Sequence, residues 1–153
     1  MKLIRVLGLS IALIFSAAPV MAREQVPEVE SALVDWKNAV ESASVDNIMK
    51  LYDRKAVMIS TFMQNPMNRR TQLVDYYKRV VVNPDIHVEI EETHPRSFGD
   101  MAVNSGRYTL SYTQEGEEVS LPARFSFTYK LRDGKWIIVD HHSSRVPLPE
   151  EKE

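Results

Sequence analysis

Asp133-Gly134 is the dipeptide that most narrows what this chain can fold into. It stands between two apolar-rich runs, Ala123 to Leu131 and Trp136 to Val139, and Asp-Gly is the composition of a two-residue type I′ hairpin turn. Such a turn fixes which residues face each other. Counting outward pairs Arg132 with Lys135, Leu131 with Trp136, Tyr129 with Ile138, Phe127 with Asp140 and Phe125 with His142. The other face then carries Lys130 with Ile137, Thr128 with Val139, Ser126 with His141 and Arg124 with Ser143. By this count His141 and His142 point to opposite sides of the sheet. A bulge between Val119 and Phe125 would shift the far end of the ladder by one residue and move Arg124 into the pocket.

The count places Asp140, His142 and Ser144 over an aromatic floor of Phe125 and Phe127. A carboxylate and an imidazole two residues apart on one strand face can touch, and an apolar setting shifts both pKa values. That is one way to build a general base or the polar anchor of a ligand pocket. It is equally the form of a structural Asp-His hydrogen bond at a sheet edge, and both readings stand at this point. Adjacent His141 and His142 on opposite faces cannot hold one metal, and His87 and His94 lack ligand spacing, so no metal or other cofactor is expected. Ser143 and Ser144 lack a G-x-S-x-G elbow and read as structural hydroxyls. Tyr76 and Tyr77 read as core and rim, Trp36 as core. With no Cys in the chain, disulfides and thiolate chemistry are excluded.

Upstream the period changes. Val29, Ala32, Leu33, Trp36, Ala39, Val40 and Ala43 recur at steps of three and four, one stripe of an amphipathic helix. Ser44 reads as the N-cap of a short second helix running to Tyr52, closed by Asp53-Arg54-Lys55. Ala56 to Thr61 reads as a buried strand, Met63 to Asn68 as a loop and Thr71 to Val81 as a third helix. Alternation from Ile86, then Met101 to Thr113, Val119 to Arg132 and Lys135 to Ser144 give four long antiparallel strands. Helices at one end and a meander at the other predict an α+β domain.

Met1 to Arg5 is basic, Val6 to Phe15 is apolar, and small residues lead to Ala22. This is the form of a secretory signal peptide spanning 1–22, with cleavage after Ala22 and a periplasmic or secreted destination. Its apolar stretch is short for a retained membrane anchor, and no Cys follows for lipidation. The expected organisation is one domain over 23–147 and an acidic tail over 148–153. Removing Lys2 and Arg5 from the 19 basic residues leaves 17 against 21 acidic, a net charge of −4 with His neutral. No basic stripe or stacking platform suggests nucleic acid as a partner.

The element order, Gly106-Arg107-Tyr108, Ala123-Arg124-Phe125 and the strand-turn-strand Asp133-Gly134-Lys135-Trp136 through Asp140-His141-His142-Ser143-Ser144 resemble the NTF2-like superfamily, with its SnoaL-like branch. Within it they resemble the bacterial proteins similar to the association domain of calcium/calmodulin-dependent protein kinase II. The resemblance covers about Glu30 to Pro147. It implies a cone in which a curved mixed or antiparallel sheet wraps around three N-terminal helices, with a cavity between them and a homodimer formed through the sheet. It also implies small-molecule binding, with His142 at the matching position of the last strand and Arg107 and Arg124 as candidate anion-binding groups. Enzymes of the superfamily use an Asp with His or Tyr in the cavity, and other members have no catalysis. The expected function is therefore binding of a small polar or anionic ligand by His142, Asp140, Arg124, Ser144, Tyr52, Tyr76 and Arg107. The alternatives are a lyase, isomerase or hydrolase using Asp140 and His142, or a non-catalytic interaction domain with Arg124, Ser126, Thr128, Ile137, Val139 and His141 as its dimer face.

Overall fold

The computed structural model describes residues 26–147; the leader expected over 1–22 and the tail expected over 148–153 lie outside them. The first apolar stripe becomes helix α1, Val26–Glu41, which buries Val29, Leu33, Trp36, Ala39 and Val40. Ser44 caps α2, Val45–Lys50, its Oγ accepting from the Asn47 backbone N–H at 3.3 Å. Tyr52 does not close this helix but opens strand β1, Tyr52–Ile59. The cause is tertiary: the Leu51 carbonyl accepts from the Ile138 N–H at 2.8 Å, so the sheet captures the chain one residue after the cap.

The loop over 60–69 is closed at its base by two reciprocal backbone bonds between Met58 and Met67, 2.9 and 2.8 Å. Helix α3, Arg70–Val81, follows, and Gln72 Oε1 accepts from the backbone N–H groups of Asn68 and Arg69 at its entry. Its inner face buries Leu73, Tyr76 and Tyr77.

Four long strands complete the chain: β2 His87–Phe98, β3 Met101–Gln114, β4 Glu117–Arg132 and β5 Lys135–Arg145. They form one curved sheet in the order β1-β5-β4-β3-β2, antiparallel except where β1 runs parallel to β5. The α+β class, the element order and the mixed sheet around N-terminal helices are as expected from the sequence. Phe125, Phe127 and Tyr129 of β4, Trp136 and Ile138 of β5 and Ala102 and Tyr108 of β3 meet the helices on the inner face.

Among the described residues the sheet has three register irregularities: one lies between Tyr52 and Val57 of β1, and the other two shape the sheet around the site. The first of these two lies between Ile90 and Glu92 of β2, and Gly106 on β3 makes it possible. A Cβ on Gly106 would stand 1.8 Å from the Glu92 carbonyl oxygen, so no other residue fits without moving the bulge. The second lies on β5. The hairpin register holds from Arg132 opposite Lys135 to Tyr129 opposite Ile138, and then Thr128 faces Asp140 rather than Val139. Val139 is the extra residue, and beyond it the expected register is displaced by one: Phe127 faces His141, Ser126 His142, Phe125 Ser143 and Arg124 Ser144. The alternative of a displacement in β4 between Val119 and Phe125 does not occur; the bulge sits in β5 instead.

Glu41 ties the helical layer to the sheet. At the end of α1 its Oε1 accepts from the Val88 N–H at 2.9 Å and meets His87 Nδ1 at 2.7 Å, while Oε2 lies 2.6 Å from Lys37 Nζ. Burial pushes its carboxyl up. The bonds from Lys37 and Val88 and the charges of Lys37 and His87 more than offset this, leaving it below the usual range.

Candidate functional site

The bulge at Val139 decides what faces the interior. His141, expected on the outer face, points inward and is 1 % exposed; Ser143 is buried beside it. Asp140, His142 and Ser144, expected over the aromatic floor, lie on the opposite face, with His142 exposed and Asp140 and Ser144 half-buried. Phe125 and Phe127 do form that floor, and His141 stacks on Phe127 with ring centroids 4.1 Å apart.

Inside the fold, four elements contribute one hydrogen-bonded chain. Trp36 Nε1 of α1 donates to Tyr77 Oη of α3 at 3.2 Å. Tyr77 Oη lies 2.6 Å from Tyr52 Oη of β1, which lies 2.7 Å from His141 Nδ1. Indole N–H can only donate, so the Tyr77 hydroxyl turns its own hydrogen toward Tyr52, and Tyr52 turns its hydrogen toward His141. The polarity assigned by this network leaves Nδ1 as acceptor and the imidazole proton on Nε2. Nε2 is buried without a partner among the described residues, so the ring could not readily hold a second proton. Burial, helped by the charge of nearby His142, pushes His141 down to about 3, and burial raises Tyr52 and Tyr77 above the usual phenol range. The chain is therefore neutral at ordinary pH.

The open space lies elsewhere. A cavity of about 180 Å³ is bounded by Phe62 and Met63 of the 60–69 loop, by Tyr76, Arg79, Val80 and Asn83 along one stripe of α3 and its end, and by Leu110 and Tyr112 of β3. Burial raises Tyr76, whose hydroxyl accepts from Ser60 Oγ at 2.9 Å. The Asn83 amide donates to the Arg79 and Val80 carbonyls. Arg79 is exposed, donates to the Met63 sulfur at 3.7 Å, and has no carboxylate within 4 Å among the described residues. Next to this cavity is a cleft of about 10 Å³ lined by Thr61, Tyr108, Ser143 and Arg145, with Phe62 and Leu110 shared between the two. Tyr108 Oη and Ser143 Oγ are 3.0 Å apart there, and burial raises the Tyr108 phenol.

Of the residues singled out in the sequence, the structure brings Tyr76 to the cavity and Tyr52 to the buried chain. The other five share the outer face of the sheet. Arg107, Arg124 and Ser144 stand in one cross-strand row, Ser105, Ser126 and His142 in the next, then Val103, Thr128 and Asp140. Arg107 is engaged by Glu91 and Glu92 at 3.6 and 3.3 Å. Burial raises the Asp140 carboxyl, and His142 opposes the shift. Arg124, Ser126, Thr128, Ile137, Val139 and His141 were expected on one face; the first four lie on this outer face, Val139 is the bulge residue and His141 points inward. Among the described residues no group of His, Asp or Glu could hold a metal ion. Sequence reasoning missed Arg79, although its spacing from Tyr76 and Asn83 on one helical stripe was there to read.

A family model described as a SnoaL-like domain matches residues 29–149. No curated protein matches the sequence. Among solved structures, a protein assigned as a calcium/calmodulin-dependent protein kinase II association domain from Xanthomonas campestris is 29 % identical with a TM-score of 0.76, over 85 % of this chain and 94 % of that one. An assigned dehydratase of the NTF2-like family from Streptomyces avermitilis shares the fold at 15 % identity and TM-score 0.71, over 80 % and 96 % of the chains. The kinase hub homology domain of Chlamydomonas reinhardtii does so at 21 % identity and TM-score 0.64, over 79 % and 98 %. Matched along most of its length, with helices and curved sheet arranged as in these structures, the chain belongs to the SnoaL-like domain family of the NTF2-like superfamily.

Proposed function

We propose that the protein binds a small amphipathic carboxylate in the cavity between α3, the 60–69 loop and β3. The observation that carries this reading is Arg79: a guanidinium without a carboxylate partner among the described residues, beside an apolar cavity of about 180 Å³. Phe62, Met63, Val80 and Leu110 suit an apolar body. Arg79 offers a forked donor that matches a carboxylate, and the Tyr76 hydroxyl adds a polar atom. The expected ligand is thus small and anionic, as the sequence suggested, while the residues that hold it are largely different. Asp140 and His142 do not line this cavity.

Calorimetric titration with small aromatic and aliphatic carboxylic acids, each beside its neutral amide, tests the reading. The acids are expected to bind and the amides to bind at least about tenfold more weakly, and Arg79→Met is expected to erase the difference. Equal binding of acid and amide, or no effect of Arg79→Met, overturns it.

The relatives named for association and hub domains support a homodimer, and the half-buried outer face around Ser105, Ser126 and Thr128 is the surface a second copy would cover. Light scattering should give twice the chain mass, and Thr128→Arg should give the monomer. Export with cleavage after Ala22 completes the reading. The N-terminal sequence of protein recovered from a secretion-competent bacterial host checks it.

A further inference from the structure

The cleft beside the cavity has features that a carboxylate-binding site alone does not require. Its volume of about 10 Å³ admits one water-sized group. Thr61 Oγ1 is buried there without a partner among the described residues. The Tyr108 and Ser143 hydroxyls, each residue 7 % exposed, bond to one another at 3.0 Å. Two hydroxyls in one mutual bond use one hydrogen between them, which leaves the other free to donate. The cleft therefore has hydroxyl hydrogen and lone-pair capacity without a partner, in a space the size of a single oxygen-bearing group. A buried hydroxyl without a partner is costly, and an incoming oxygen would relieve it.

Phe62 and Leu110 line both spaces. A ligand held at Arg79 and lying against these two side chains would point its far end toward the cleft. We infer that the site reads a second oxygen, a hydroxyl or keto group, at Thr61, Tyr108 and Ser143, across an apolar segment from the carboxylate. The substrate class is therefore a hydroxy- or oxo-carboxylic acid rather than a simple acid. This inference rests on the proposed carboxylate site at Arg79. Arg145 also lines the cleft and, like Arg79, is exposed, so a second carboxylate is the competing occupant that the dicarboxylic acids in the test below report on. Phe62, 53 % exposed on the loop, is the partition whose position sets the permitted length between the two oxygen functions.

The test is calorimetry on the full chain with straight-chain carboxylic acids of increasing length, their ω-hydroxy derivatives and the matching dicarboxylic acids. At one length the ω-hydroxy acid is expected to bind about tenfold tighter than its parent. Thr61→Val and Ser143→Ala should each remove most of that preference and leave the affinity for the parent acid unchanged. Thr61→Val lies on the loop and serves where burial makes Ser143→Ala unstable. If the parent acids bind through Arg79 but no hydroxy acid is preferred at any length, the inference falls and the carboxylate site survives. A preference for the dicarboxylic acid over the hydroxy acid also overturns it, by assigning the cleft to Arg145. If no acid binds at all, the carboxylate reading itself has failed.

Discussion

His141 should make the fold sensitive to mild acid, and Phe at this position should remove that sensitivity. In the folded protein the ring is 1 % exposed and its pKa is lowered to about 3, against 6.5 for a free imidazole. A histidine whose folded pKa is depressed binds more protons when unfolded, so stability falls as pH drops below the unfolded value, and the loss ends near the folded value. From neutral pH to pH 5 the linkage amounts to about 2 kcal/mol, and by pH 4 to about 3 kcal/mol. For a domain of this size the first figure lowers Tm by roughly 5–10 °C. The groups facing the ring are Tyr52, Trp36 and Phe127, with Tyr77 bonded behind Tyr52 and His142 the neighbouring charge, and the tyrosines stay protonated throughout this range. Glu41 has a lowered pKa, so its contribution is present above the ordinary carboxylate value and lost only below it. The interval between pH 7 and 5 therefore reports mainly on His141. His141→Phe keeps the stack on Phe127 and leaves Tyr52 its bond to Tyr77, so the variant should fold. Urea melts of both proteins at several pH values give the comparison. A wild type with flat stability from pH 7 to 5, or a His141→Phe variant with the full wild-type slope, refutes the argument.

Gly106→Ala should be among the most damaging single-methyl changes in the chain. The added Cβ meets the Glu92 carbonyl at 1.8 Å and a Phe125 ring carbon at 3.1 Å, so β2 must shift off its bulge. A loss of about 3–4 kcal/mol in urea unfolding is expected, and a loss below about 1 kcal/mol contradicts the close contact. Glu41→Gln keeps an acceptor for the Val88 N–H but gives up the attraction to Lys37 and His87. With these groups partly in solvent, it should cost about 1 kcal/mol at neutral pH. Because the wild-type carboxyl is held below its usual range, the difference should shrink as pH falls through that range. A difference that grows in acid rules this out.

The fold was legible in the sequence because its evidence is periodic and redundant. Seven residues in one stripe announced α1, a Ser cap announced α2, and a two-residue turn announced the last hairpin; each places many side chains at once. The start of β1 was not legible. Tyr52 follows a helix-favouring segment, and only a carbonyl bond from Leu51 to a strand more than eighty residues away draws it into the sheet. The cavity was legible only in part. Tyr76 was named from its chemistry. Arg79 reaches the cavity through the packing of α3 against a loop whose path is set by the Met58–Met67 closure, a contact between two methionines that no motif marks.

The register of β5 is the more instructive failure, because the energies that decide it were in the sequence. Strict alternation sets Asp140 and His142 against Phe125 and Phe127. It would bury a carboxylate beneath aromatic rings, at a cost of several kcal/mol unless the group were neutralised or well paired. One bulge at Val139 leaves an unpaired residue in the ladder and exchanges the two sets. An imidazole that can remain neutral then goes inside, where the Tyr52 hydroxyl bonds Nδ1, and Ser143 follows, bonded to Tyr108. Asp140 and His142 remain in contact with water. The two inward groups are those for which the opposing helix and strands hold a hydroxyl in place. The two outward groups are the half-buried carboxylate and the solvent-exposed histidine. Alternation counts residues and is blind to that difference. A strand ending in five consecutive polar residues should therefore be tested in both registers, weighing the desolvation of each inward set against the loss of one ladder position. Here that comparison favours the bulge by the difference between burying a charge and burying a neutral ring.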